Sequence, residues 1–232
     1  MAGLAQDGPA DANGSDTLSE RAASLVEHDI IAGRLAPGAR LGIVDLVQRY
    51  EIGATPLREG LSRLVSRGLI VGIGQRGFRV AEVSREDLAD ITRMRTVVEM
   101  EALRLAIQNG DDAWEAGILG ALHQMRRHIE RIGDKFREGA PDFDRLHKGF
   151  HTALLAACGS KRLLSAHSEL YDQAYRYRRV MMRGFDSGTH FVAAHQVLAD
   201  RILARDIGAS QATLESHLRS TLAFVYPPGQ GD

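Results

Sequence analysis

Two short apolar-periodic segments separated by Glu51-Ile52-Gly53-Ala54 constrain this chain more than any other feature. Val44 to Tyr50 reads as a short helix with Leu46 and Val47 inward. After the turn, Thr55 is placed to cap a second helix, with Pro56 at its first position, where a missing N–H costs nothing. That helix runs to about Arg67, is expected to bury Leu57, Leu61, Leu64 and Val65, and stops at Gly68. Two short helices around a four-residue turn containing glycine make a helix-turn-helix. Leu69-Ile70-Val71 and Phe78-Arg79-Val80 follow as β-prone runs, joined through Gly72, Gly74 and Gly77 as a hairpin. A hairpin in that place is a wing.

The flanks fit a small domain over residues 17–82. Thr17-Leu18-Ser19-Glu20 has capping-box spacing and opens a helix with Leu18, Ala22, Leu25, Val26 and Ile30 on its apolar side, ended by Gly33. Leu35-Ala36-Pro37-Gly38 is a turn, and Arg40-Leu41 is a short extended piece. Residues 1–16, rich in Gly, Ala and Asp, read as a disordered tail, as do residues 227–232 with Pro227-Pro228-Gly229.

From Ser84 onward the pattern is helical only. Segments are expected from Ser84 to about Asn109, then over 112–138, 142–157, 161–184, 189–205 and 208–226, with Gly110, Pro141, Gly159, Gly188 and Gly208 at the breaks. Six helices with short links imply an antiparallel bundle over 84–226. The fold class is therefore mainly α: an N-terminal winged helix-turn-helix and a C-terminal six-helix bundle.

Charge matters here only by its placement. The whole chain carries a net −1, while residues 17–82 hold nine Arg and no Lys against seven acidic residues. The second helix of a helix-turn-helix presents its first turn to the major groove. Here Thr55 and Arg58 occupy that turn, Ser62 and Arg63 lie one turn on, and Gln75 and Arg76 sit at the wing tip, where an arginine on a thin glycine loop suits a narrow minor groove. The opposing reading makes the winged helix a protein-binding module, with Arg58 paired to Glu59 or Glu51.

The helical half holds a second constellation. His147 and His151, four apart, share a helix face, while His195 and His217 fall on the last two helices and converge if those helices are antiparallel neighbours. Neutral imidazoles suit divalent transition metals: zinc first, with nickel, manganese, copper or iron as alternatives. The competing reading is two amphipathic surface histidines. Tyr171, Tyr175 and Arg178 share a face by helical spacing; Arg178 could instead belong to an exposed basic face with Arg176 and Arg179. Arg95 stands four residues before Glu99, at ion-pair spacing. His28, His123, His128, His167 and His190 match no motif and read as solvated or structural, and Cys158, alone in the chain, as a buried thiol. There is no secretory signal and no apolar run long enough to span a bilayer, so the expected location is the cytoplasm, with no membrane partner.

Several strings together resemble the GntR family of bacterial regulators. They are Ile31-Ala32-Gly33-Arg34-Leu35-Ala36-Pro37-Gly38-Ala39-Arg40-Leu41, Thr55-Pro56-Leu57-Arg58-Glu59-Gly60-Leu61, Arg67-Gly68-Leu69-Ile70 and Gln75-Arg76-Gly77-Phe78-Arg79-Val80. The C-terminal half is similar to that family's FCD ligand-binding domain, in the FadR subfamily, and the recognition-helix and wing strings look closest to the branch of the carbon-starvation-induced regulator. The resemblance implies that His151, in Phe150-His151-Thr152-Ala153-Leu154, together with His195 and His217, ligates a metal. The fourth ligand is usually Asp or Asn four residues before the first histidine; here His147 holds that place, with Asp144 in reserve. It also implies that Arg95 faces the pocket, that the chain is a homodimer reading double-stranded DNA with a short inverted repeat, and that a small carboxylic acid effector relieves repression.

Two departures stand out. The family often has arginine where this chain has Val44 and Ala54, which implies fewer direct DNA contacts. Gly60 replaces the usual alanine inside the recognition helix, at a cost of about 1 kcal/mol unless close packing needs it. Two other classes remain open at this stage. One is a metal-dependent enzyme, for which no His-Glu-x-x-His helix or fixed general base is found; the other is an interaction module with a purely structural metal.

Overall fold

The computed structural model describes residues 17–133, 136, 140–181 and 188–226; both tails lie outside them. Helix α1 (Leu18–Ile31) starts at a complete capping box, Thr17 accepting from the Glu20 backbone while the Glu20 carboxylate accepts from the Thr17 N–H. Ala22, Val26 and Ile30 are buried, but Leu18, expected on the apolar side, is 59% exposed, and its neighbour Ser19, 6% exposed, faces Gly60 in its place. β1 (Arg40–Leu41), α2 (Ile43–Tyr50) and α3 (Ala54–Ser66) follow.

Helix α3 departs from the expected start. Its N-cap is Gly53 rather than Thr55, so Pro56 is the third helical residue. Proline is tolerated there because the first four N–H groups of a helix lack intrahelical acceptors. Leu57, Leu61 and Leu64 are buried as expected, whereas Val65 is 38% exposed, one position off that stripe. Gly60 faces α1 so closely that a Cβ would lie 2.8 Å from both the Ala23 nitrogen and the Ser19 oxygen.

The wing is β2 (Ile70–Gly72) and β3 (Phe78–Val80), antiparallel, with a 3-10 turn over Gly74–Arg76 between them. The extended piece at Arg40–Leu41 is the third strand: it pairs antiparallel with β3, Leu41 opposite Phe78, giving the order β1-β3-β2. One apolar cluster gathers α1, α2, α3 and the sheet, from Ala22 to Val80.

Six helices follow: α4 (Arg85–Asn109), α5 (Asp112–Ile132), α6 (Pro141–Leu155), α7 (Lys161–Met181), α8 (Gly188–Leu203) and α9 (Ile207–Val225). α5 ends six residues before the expected 138, at Gly133, whose φ of 52° is a conformation glycine adopts without penalty. α6 closes in a 3-10 turn, Ala156–Cys158, and the expected extension of α7 to 184 falls outside the described residues. A second, larger cluster joins α4, α5, α6, α8 and α9, with Phe136, Phe143, Phe150 and Phe191 at one end, and it buries Cys158. A third, small cluster of Leu88, Ile91, Ala174, Tyr177 and Val225 sits beside Val83, where the two parts of the chain meet.

Candidate functional site

Helix α3 presents its polar side outward. Thr55, Arg58, Ser62 and Arg63 are exposed, as are Val44 on α2 and Ala54. Arg58 forms no ion pair among the described residues, so the alternative in which Glu59 or Glu51 neutralises it has no support. Ser62 donates its hydroxyl to the Arg58 carbonyl at 2.9 Å. Arg63 Nη1 lies 3.2 Å from Glu20 Oε1 on α1, an exposed pair worth little that leaves the guanidinium available at small cost. At the wing tip, Gly74 and Gly77 adopt φ of 48° and 98°, which lets the 3-10 turn close between Ile73 and Gly77 and carries Arg76 exposed. The Gln75 backbone lies in that turn; its side chain is outside the described residues.

The bundle brings all four singled-out histidines together. His147 and His151 come from α6, His195 from α8 and His217 from α9, and their ligand nitrogens lie within 4.8 Å of one another. Nε2 of His147 is 2.9 Å from Nε2 of His195 and 3.0 Å from Nε2 of His151. His147, His151 and His195 are buried and His217 half-buried, so the amphipathic-surface alternative is excluded. Burial, reinforced by the Arg178 guanidinium and the neighbouring rings, holds His147 well below the usual imidazole range. Burial does the same for His151 and His217, and lowers His195 to about 4. All four rings are therefore neutral near pH 7. His195 Nδ1 sits 2.7 Å from the Phe191 carbonyl, which only accepts, so Nδ1 carries the proton and Nε2 offers a lone pair.

These residues fit a divalent transition metal. Nitrogens bound to one ion at about 2.0–2.1 Å lie roughly 3 Å apart, which matches the spacing of the buried Nε2 atoms. Without an ion, several imidazole nitrogens crowd a space where few can exchange a proton. The reserve ligand is placed otherwise. Asp144 accepts from the Tyr171 hydroxyl at 3.0 Å and faces Arg178 at 3.4 Å, outside the histidine group; burial raises it to about 6 in spite of the guanidinium.

Arg95 and Arg178 are 3% and 2% exposed, so the exposed basic face is a misreading: Arg176 is buried too, and the Arg179 side chain is outside the described residues. Both guanidiniums lie over Tyr171, Arg95 at 5.4 Å and Arg178 at 4.6 Å from the ring centre; Arg178 also covers Tyr175. Arg95 Nε donates to Glu99 Oε1 at 2.7 Å, so the expected i,i+4 pair forms, but buried Nη2 has no partner in the described structure. Burial alone would raise Glu99; Arg95 and His167 outweigh it and keep the carboxylate ionised.

His167 was missed as a site residue. It is fully buried, with Nδ1 3.1 Å from Glu99 Oε1 but without hydrogen-bond alignment. No motif flags it; its place on α7 one turn before Tyr171 is the signal. His28, His123 and His190 are exposed and His128 partly so, as expected of residues outside a motif.

Two family profiles match the chain, one after the other. Residues 18–80 match the profile of bacterial regulatory proteins of the gntR family, and residues 90–220 match that of the FCD domain. The chain is 34% identical over 204 residues to the HTH-type transcriptional repressor GlaR of Escherichia coli K12, covering 86% of this chain and 92% of that protein. It is 35% identical over 209 residues to the HTH-type transcriptional regulator BphR of Paraburkholderia xenovorans LB400, covering 90% and 85%. Among solved structures, E. coli McbR/YncC superposes with a TM-score of 0.74 over 91% of this chain and 98% of its own, at 23% identity, a likeness of fold alone.

Proposed function

The chain belongs to the GntR family of bacterial transcriptional regulators, with an FCD domain after its DNA-binding domain, and from that premise we propose that it is a homodimeric repressor released by a small carboxylic acid bound at a metal. Family and relatives are regulators rather than enzymes, so the metal-dependent enzyme reading falls away. Residues 17–82 form the DNA-binding domain and residues 84–226 the sensor. Thr55, Arg58, Ser62 and Arg63 read the major groove of a short inverted repeat while Gln75 and Arg76 follow the wing. The repressor sign is taken from GlaR, whose name carries it.

One observation carries the sensor reading: four neutral, inward-facing imidazoles beside Arg95, whose buried Nη2 lacks an acceptor among the described residues. An unpaired buried donor is costly, and a ligand carboxylate removes that cost. His147, His151, His195 and His217 hold the ion, zinc first, then nickel, manganese or iron, which supplies a Lewis-acidic charge for a ligand oxygen. Four neutral ligands leave the ion's charge uncompensated, which favours an anion. Arg95, held by Glu99, offers Nη2 to that anion; Arg178, anchored over Tyr171, adds a second positive wall.

A thermal-shift screen of zinc-loaded protein against small mono- and dicarboxylic acids tests this. An acid at a hundredfold excess over its dissociation constant is expected to stabilise the protein by about 2.7 kcal/mol, with the gain lost in His151→Ala. If no acid shifts the wild type, the metal is structural and the effector reading fails.

A further inference from the structure

Two side chains at the histidine site, one on α6 and one on α7, are each followed in sequence by a charged residue. His147 is followed by Lys148, and Tyr171 by Asp172. The rings of His147 and Tyr171 meet inside, with centroids 5.9 Å apart. Their neighbours meet outside, Lys148 Nζ donating to Asp172 Oδ1 at 2.6 Å. The other oxygen of Asp172 lies 3.6 Å from Nη2 of Arg67, and Nη1 of Arg67 donates to Glu27 Oε2 at 2.6 Å.

Arg67 is the C-cap of the recognition helix. Its carbonyl accepts from Gln173 Nε2 at 2.7 Å, so two successive residues of α7 hold the end of α3. The pattern repeats one turn later. Arg178 turns inward onto Tyr171, while Arg176 Nη1 donates to the Ala81 carbonyl at 3.2 Å and the Tyr177 hydroxyl accepts from the Ser84 N–H at 3.1 Å.

We propose that α7 transmits occupancy of the histidine site to the recognition helix, with Lys148–Asp172–Arg67 as the switching link. Asp172 divides one carboxylate between a close cation on α6 and a more distant one on α3. Closing ligand nitrogens that spread over as much as 4.8 Å onto one ion shifts α6, which carries two of the four, against α7, which carries none; small sliding of packed helices is a recurrent way to move an interface between two arrangements. Lys148 and Arg67 then exchange their shares of Asp172, and Arg67 is held by Asp172 in one state and by Glu27 alone in the other. The link is sheltered: Asp172 is buried and Glu27 mostly so, which limits screening by salt. The two states differ in contacts, as any coupling between sites requires.

The proposal rests on the metal reading above, and the experiment separates the two. Full-length wild type, Asp172→Asn and Lys148→Met are titrated with zinc by calorimetry, and amide hydrogen exchange is followed at residues 64–69 with and without zinc. In wild type, zinc is expected to change exchange there by about fivefold or more, and in both variants by less than about twofold, with zinc affinity preserved. Lys148→Met keeps the test valid should Asp172→Asn unfold. Zinc binding without a change at residues 64–69 in wild type, or with the same change in the variants, overturns the link and leaves the metal site standing. Absence of zinc binding overturns both.

Discussion

Gly60 shows how one residue fixes the spacing of two helices. In an exposed helix, glycine to alanine gains about 1 kcal/mol. Here the new Cβ would press on backbone atoms of α1, which cannot rotate away. Gly60→Ala is therefore expected to destabilise, since overpacking costs about 1–3 kcal/mol; an unchanged or higher urea midpoint would contradict this packing. The histidines make a second prediction at this scale. Their folded pKa values lie below the ordinary imidazole value, with His195 at about 4. The unfolded chain thus binds more protons between roughly pH 4 and 6.5. Their contribution is present above 6.5 and lost as pH falls towards 4. Asp144, raised to about 6, acts oppositely, losing stability as pH rises from about 4 through 6, but it is one group against four. Chelator-treated protein should therefore show a falling urea midpoint from pH 7 to pH 5; a flat profile would contradict the buried neutral cluster. His147, His151, His195 and His217 were legible because helical spacing and motif agreed, whereas His167 and the diversion of Asp144 to Tyr171 depend on how α7 packs, which no local pattern encodes.

At the scale of elements, boundaries followed chemistry that reads directly from sequence, such as the capping box at Thr17 and the breaks at Gly33, Gly68 and Gly159, all left-handed. The start of α3 was misplaced because Thr55 is a good cap by type, yet Gly53 already has the extended backbone a cap needs. The pairing of β1 with β3 was missed because a two-residue strand has no periodicity to detect. Arg205 is another long-range device without a local signal. In a left-handed conformation between α8 and α9, it donates to the carbonyls of Ile107 and Gly110 at the end of α4, and to Glu115 on α5. Hydrogen bonds from a charged donor are worth about 1.5–3 kcal/mol each when buried, and partial exposure reduces this. Arg205→Ala is expected to lower stability by about 1–2 kcal/mol, readable by denaturation, and a neutral result would mean that α4 is capped adequately without it.

At the scale of the molecule, the two larger apolar clusters meet through α7, which contributes Ala174 and Tyr177 to the small junction cluster and polar contacts from Gln173 and Arg176 beside it. The mainly α class and the gathering of the four histidines were readable because local segments and spacing carry them; the Arg67–Asp172 contact was not, since the two are far apart in sequence and neither belongs to a motif. The proposed function puts DNA reading on α3 and metal binding in a separate bundle. The most direct measurement is selection of bound duplexes from a random pool by wild type and Arg58→Ala, with zinc affinity measured on both. Wild type is expected to enrich a short inverted repeat and Arg58→Ala to lose this enrichment, at a cost of about 1–3 kcal/mol for a lost base contact, while binding zinc as wild type does. No enrichment by wild type, or equal enrichment by the folded variant, would contradict the assignment of α3 and Arg58 to sequence reading.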